Sequence, residues 1–301
     1  MANFILIGIC ILAGMLLRYR GSLPVDAHKG INTFIIYLAL PAVSFKYLPH
    51  IEWSTELLFP AMGPIIIWLC AWIYIRIYAA SAKLSKPTEG GLKLVSGLSN
   101  TSFVGFPLVM AWFSEKELGI AVICDQVTFM LLATAGIIVA INSSGKHTLK
   151  PSIVVKKLFS FPPFIGCIAA LTIPRFIDIS ALDPLFDKLA ATVGPLALFS
   201  IGLQVRFKGW RNDIKHITIS LFYKLLLAPL IILLVALMLG MKGSIAHITV
   251  FEAAMPTLLS SVIIADQYDL RPQLANLVTG IGILISFITT AGWYYVITNM
   301  L

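Results

Sequence analysis

Charge is what this sequence has least of. Only 12% of its 301 residues are Asp, Glu, Lys or Arg, while 58% are hydrophobic. Soluble globular chains carry about 25% charged residues. So little charge cannot clothe a water-soluble body of this size, which excludes a soluble enzyme or binding domain. Cysteine is scarce as well. Cys10, Cys70, Cys124 and Cys167 each fall in a different apolar segment, without metal-ligand or redox spacing, and read as small packing residues. The histidines carry no metal signature either. His28, His50, His147 and His216 lie in or beside loops, and His247 lies near the end of an apolar segment. No nucleophile motif or phosphate loop is present. A basic run interleaved with aromatics is also missing, so the net charge of +8 belongs to the loops of a membrane protein rather than to nucleic-acid binding. Neither a metal nor an organic cofactor is expected.

What the chain does have is apolar length. A spanning helix needs about 20 mostly apolar residues. By that rule the sequence predicts ten transmembrane helices, at 2–17, 30–48, 57–80, 91–113, 117–141, 153–173, 185–204, 214–240, 244–265 and 272–299. The class is an all-α polytopic membrane protein. The first segment, "MANFILIGICILAGMLLRYR", carries no basic residue before its apolar run, and Arg18 and Arg20 follow it. A cleaved signal has the reverse order, so a first span with the amino terminus outside is expected.

Lysine and arginine vote on orientation. Most lie in odd-numbered loops, among them Arg18, Arg20 and Lys29, then Arg76, Lys83, Lys86 and Lys93, then Lys146, Lys150, Lys156 and Lys157, and Arg206, Lys208, Arg211 and Lys215. The ninth loop adds only Arg271. Even-numbered connections hold few, so the odd loops are placed in the cytoplasm and both termini outside the cell membrane. The longest connection, "NSSGKHTLKPS", joins span five to span six. It divides the chain into halves of five spans, 1–145 and 146–301, with no separate soluble domain.

Five is odd, so two such halves lie inverted relative to each other. The halves also share motifs. "LALPAVSF" resembles "VGPLALFSIG" (Pro41, Pro195), "MGPIIIW" resembles "LAPLIIL" (Pro64, Pro229), and "FVGFPLVM" resembles "EAAMPTLL" (Pro107, Pro256). Proline lacks an amide hydrogen and clashes with the preceding turn. In lipid the freed carbonyls have no water, so a break survives only inside protein or beside a polar cavity. Broken helices in corresponding positions of two halves point to a transport site.

Depth follows from about 1.5 Å per residue. Asn100 in span four and Pro256 in span nine both fall near the middle of a core about 30 Å thick. Thr101 and Ser102 flank the first break; Thr257, Ser260 and Ser261 follow Pro256. These residues offer uncharged donors and acceptors, although membrane Ser and Thr also bond to their own helices. Asp125, Lys224 and Glu252 are the charges set well inside apolar spans. Each costs at least about 2.5–3.5 kcal/mol there, so each needs a partner or a cavity. Asp125 reads either as a coupling-ion or proton site or as the neutraliser of Lys224. Lys224 balances a bound anion, occupies a cation site, or is structural, as an ion-pair member or a snorkelling stem. Glu252 is either a protonatable gate or a carboxylate reaching the interface. The coupling ion in such a site would be H+ or Na+.

The strings "SGLSNTSFVGFPL", "GPLALFSIGLQV", "KLLLAPLI" and "FEAAMPTLLSSVIIADQY" resemble the auxin efflux carrier-like family of membrane transporters, nearly end to end. The lack of a long cytoplasmic loop makes the chain similar to the bacterial malonate and malate permeases of that family. The resemblance implies inverted five-helix repeats with spans four and nine unwound and crossing at Pro107 and Pro256, where substrate is held. It also implies a scaffold of spans 1, 2, 6 and 7 that forms a homodimer, and a transport part of spans 3–5 and 8–10 that moves like an elevator. Carried over by position, Asn100, Pro107 and Pro256 match the crossover motifs, and Asp125 lies on the polar fifth span.

Three functions stay open at this point. The first is secondary or potential-driven transport of a small organic anion, a carboxylate, bound by Asn100, Thr101, Ser102, Pro107, Pro256, Thr257 and Ser260. The second is a cation/proton exchanger or sodium-coupled symporter of the same fold using Asp125. The third is a ligand-binding membrane sensor without transport. An enzyme is not expected, because no carboxylate pair, His–carboxylate set or metal-ligand set lies at membrane depth.

Overall fold

A computed structural model describes residues 2–145, 159–204 and 210–301. The loop lysines Lys146, Lys150, Lys156 and Lys157, together with Arg206, Lys208, His147 and the start of span six, lie outside the described residues. The described chain is all-helical and holds twelve helices. We number them α1 (Ala2–Tyr19), α2 (Ala27–His50), α3 (Thr55–Ser81), α4 (Lys86–Gly97), α5 (Thr101–Trp112), α6 (Glu115–Ser144), α7 (Pro162–Thr172), α8 (Ser180–Gln204), α9 (Trp210–Leu239), α10 (Gly243–Ala253), α11 (Leu259–Gln267) and α12 (Pro272–Met300). Seven of them, α1, α2, α3, α6, α8, α9 and α12, are long and apolar enough to cross a membrane. In the predicted fourth and ninth segments the chain instead forms paired short helices, α4 with α5 and α10 with α11.

The prolines do not behave as simple breakers. Pro64 sits inside the regular helix Leu58–Ser81. Ahead of Pro41, Pro107 and Pro229 the helix widens into π turns, at Ile35–Ala39, Thr101–Gly105 and Tyr223–Leu227. A wide turn moves the carbonyl that the proline ring would strike and lets the helix continue. At Pro229 the carbonyl left without its usual amide is that of Leu225. The Trp293 indole N–H donates to it at 2.8 Å.

The helices fall into two compact units. One holds the described residues of Met1–Trp53, Ser102–Val122 and Phe159–Val205. In it α1 lies against α8 at a glycine seam, where a Cβ on Gly14 would strike the Phe199 carbonyl and one on Gly202 the Ile11 carbonyl. Gly166 of α7 admits Pro41 of α2 in the same way; a Cβ there would stand 2.8 Å from the proline ring. Lys46 closes the unit at one end, paired with Glu115 at 2.7 Å and Asp187 at 2.9 Å.

The second unit holds the described residues of Ser54–Thr101, Ile123–Leu158 and Arg206–Leu301. Its apolar interior includes Ile75, Leu92, Leu94, Phe129 and Phe251, all nearly inaccessible. Two polar contacts inside it are bonded: Tyr223 donates to the Ile67 carbonyl at 2.6 Å, and Ser96 and Ser220 share a hydrogen bond of 2.7 Å. At one end Arg271 pairs with Asp213 at 3.0 Å. Within α4, Glu89 pairs with Lys93 one turn on and with Arg76 of α3, and the Lys93 ammonium lies over the Trp72 ring.

Candidate functional site

The site lies within the second unit, where α4 and α10 both end in mid-protein. Helix α4 starts at a Ser85 cap, whose hydroxyl accepts from the Thr88 amide. It stops at Gly97, and the chain at Leu98 turns extended, with φ −114° and ψ 124°. A Cβ on Gly97 would lie 2.6 Å from the Trp68 ring, so this position takes no larger residue without a shift. Helix α10 stops at Ala253, and the chain resumes helical form at Leu259.

The two unwound stretches satisfy each other. Ser99 and Thr257 form an antiparallel bridge. The Asn100 amide donates to the Pro256 carbonyl at 2.7 Å, and the Leu258 amide donates to the Leu98 carbonyl at 3.0 Å. Each helix end also has a carbonyl to cover. The Thr257 hydroxyl donates to the Val95 carbonyl at 2.6 Å. At the other end the Lys224 ammonium donates to the Ala253 carbonyl at 3.0 Å and to the Ser99 hydroxyl at 2.8 Å. A helix carboxyl end carries partial negative charge, so a cation there is favourable. Lys224 reaches it from the π turn Tyr223–Leu227 and is wholly buried.

Two acids stand nearby. Asp125, 1% exposed, accepts from the Thr101 hydroxyl at 2.6 Å. Glu252, 2% exposed, precedes the end of α10, and neither of its carboxylate oxygens has a hydrogen-bond partner among the described residues. Glu252 lines a small cavity, with room for about one water-sized sphere, together with Ser99, Thr101, Thr128 and Thr249.

Of the residues singled out in the sequence, Asn100, Thr101, Asp125, Lys224, Glu252, Pro256 and Thr257 all lie in this unit and are buried. Ser260 is half-buried on α11 and is not part of the cavity wall. Ser261 is buried and donates to the Leu258 carbonyl of its own first turn. Ser102 and Pro107 belong to the other unit. Ser102 is buried, with no hydrogen-bond partner for its hydroxyl among the described residues. Pro107 is the second residue of the regular helix Phe106–Trp112, a position where a missing amide costs little. The unwinding expected at Pro107 lies earlier, at Leu98–Asn100, a stretch without proline. The π turn at Thr101–Gly105 accommodates Pro107 instead.

Thr128, Thr249 and Gly63 also line the cavity and were not picked out from the sequence. A signal for two of them was available. Thr128 lies three residues after Asp125, and Thr249 three before Glu252, spacings that put each pair on one helix face.

A family described as membrane transport proteins, the auxin efflux carrier family, matches residues 1–294. The chain belongs to this family. It is therefore a membrane transporter rather than an enzyme, and the bilayer is its surroundings. It is 27% identical to an uncharacterized transporter of Methanocaldococcus jannaschii, over 97% of this chain and 96% of that one. A protein of Rhizobium meliloti whose name ties it to malonate transport is 25% identical, over 92% of this chain and 89% of its own. An auxin efflux carrier component of Oryza sativa is 30% identical over 50% of this transporter and 37% of that protein.

Proposed function

We propose that this transporter moves a small organic anion, a carboxylate, through the cell membrane by secondary or potential-driven alternating access. The observation that carries the reading is the pair of mutually bonded unwound stretches, Leu98–Asn100 and Met255–Leu258, buried beside the ammonium of Lys224. Helix α11 begins just after the second stretch, and α5 just after the first. Helix amino ends carry partial positive charge and unpaired amides, which suit a carboxylate. The Rhizobium meliloti relative's name supports the same class of solute. In this reading Asn100, Thr101, Ser102, Pro107, Pro256, Thr257 and Ser260 surround the solute, and Asp125, Lys224 and Glu252 balance charge or couple an ion.

The reading includes two inverted five-helix halves. That each half contributes one unwound stretch, and that the two pair at Ser99 and Thr257, supports it. It also includes a scaffold of spans 1, 2, 6 and 7 that pairs as a homodimer, an elevator-like moving part of spans 3–5 and 8–10, and both termini outside. The test is counterflow of labelled malonate in proteoliposomes. Uptake in the wild type that falls at least about tenfold in Asn100→Ala and Pro256→Leu supports the reading, tenfold corresponding to about 1.4 kcal/mol of lost binding. Unchanged uptake in both variants removes these residues from the mechanism.

A second reading keeps the fold and exchanges cations on Asp125, whose burial beside the Thr101 hydroxyl favours it. It predicts ion flux without organic solute, abolished in Asp125→Asn.

A further inference from the structure

The cavity beside Glu252 is unusual in what its wall offers. The Thr101 hydroxyl gives its hydrogen to Asp125, the Thr128 hydroxyl gives its to the Cys124 carbonyl at 2.8 Å, and the Thr249 hydroxyl gives its to the Ile245 carbonyl at 2.6 Å. A hydroxyl has one hydrogen and two lone pairs. With the hydrogens committed, these three residues present only accepting oxygens to any occupant. Glu252 adds two more accepting oxygens, neither of them partnered among the described residues, on a side chain 2% exposed. Lys224 gives two of its three N–H donors to Ser99 and Ala253, and it is not part of the wall.

Ser99 is the exception in the wall, since its oxygen accepts from Lys224 and it keeps its own hydrogen; a chamber in which acceptors predominate in this way disfavours a carboxylate and suits a positive occupant. Size narrows the choice, because the space has room for about one water-sized sphere. An organic solute does not fit. A neutral water fits but adds no charge to a site where two acids, Asp125 and Glu252, face the single ammonium of Lys224, and a net negative charge at membrane depth is costly. Divalent metals are disfavoured, because no group of three or more His, Cys, Asp or Glu among the described residues could hold one. One carboxylate with several neutral oxygens matches a hard, singly charged ion.

We propose that this cavity takes up one monovalent cation, either sodium held on Glu252, Thr128, Thr249 and Thr101 or a proton carried by the Glu252 carboxylate itself. As the coupling ion of the transporter, it deepens the transport reading and rests on it. The ionisable groups facing Glu252 are Asp125 and Cys124 from α6 and Lys224 from α9; the α3 wall contributes only Gly63, Pro64 and Ile67.

Thermal unfolding of the purified full-length transporter, with no carboxylate present, tests the site apart from transport. If the ion is sodium, saturating sodium chloride raises the wild-type melting temperature by about 3 °C over choline chloride, and Glu252→Gln loses the rise. If it is a proton, sodium has no effect, and the wild-type melting temperature in choline varies across about pH 5 to 8 in a way that Glu252→Gln lacks. Identical sodium and pH responses in wild type and Glu252→Gln overturn the proposal, as does a wild type insensitive to both. Should Glu252→Gln not fold, Thr128→Val takes its place: a weakened sodium or pH response supports the site, and an unaltered one overturns it. Failure of malonate counterflow leaves these melting results standing, so the two ideas fail separately.

Discussion

The ends of α4 and α10 pose the same backbone problem and solve it differently. At α4 the carbonyl of Val95 takes a hydrogen from a neutral hydroxyl, that of Thr257. At α10 the carbonyl of Ala253 takes one from the Lys224 ammonium, which also holds Ser99, the bridge partner of Thr257. The hydroxyl solution is compact and brings no charge. The ammonium solution costs desolvation of a whole cation and places it next to Glu252 and the acceptor-lined cavity. A pair of otherwise matching helix ends has thus become one plain joint and one charged joint, and the chemistry collects at the charged one.

The largest blow to this contrast is Lys224→Met. It leaves the Ala253 carbonyl without its donor and the buried acids without their cation, so a loss of about 3–5 kcal/mol is expected, read as a large drop in thermal midpoint in detergent. Thr257→Val should hurt less. It keeps volume but strips the donor from the Val95 carbonyl, and a buried acceptor left unmet costs about 1–3 kcal/mol. Equal losses in the two variants would erase the distinction between charged and neutral joints. The smallest effect belongs to Trp293→Phe, which removes the indole donor from the Leu225 carbonyl ahead of Pro229 while keeping an aromatic ring. About 1 kcal/mol is expected, because this bond mends a proline turn and leaves the hydrogen bonds of both joints in place.

The helical, membrane-crossing character of the chain was legible because hydropathy and span length are read directly from composition. The location of the breaks was less so. Proline was the guide, yet Pro41, Pro107 and Pro229 follow wide turns and Pro64 stays in a regular helix. Only the second unwound stretch contains a proline, Pro256; the first, Leu98–Asn100, has none. At Pro229 the orphaned carbonyl is covered by the distant Trp293, and that is a tertiary fact no local pattern announces. At the site, the polar residues at depth stood out in the sequence, whereas Thr128 and Thr249 did not. A membrane threonine bonding to its own helix is the ordinary case. Both do bond that way, and their remaining lone pairs line the cavity all the same.

The shared bridge between Ser99 and Thr257 has a mechanical corollary. Leu98 and Asn100 lend one side of a two-bond clasp, and Pro256 and Leu258 lend the other. Neither stretch can rewind into helix by itself without stranding the groups of its opposite number. Unclasping is therefore an all-or-none event, and any solute that loosens one strand of the pair is felt at once by the other.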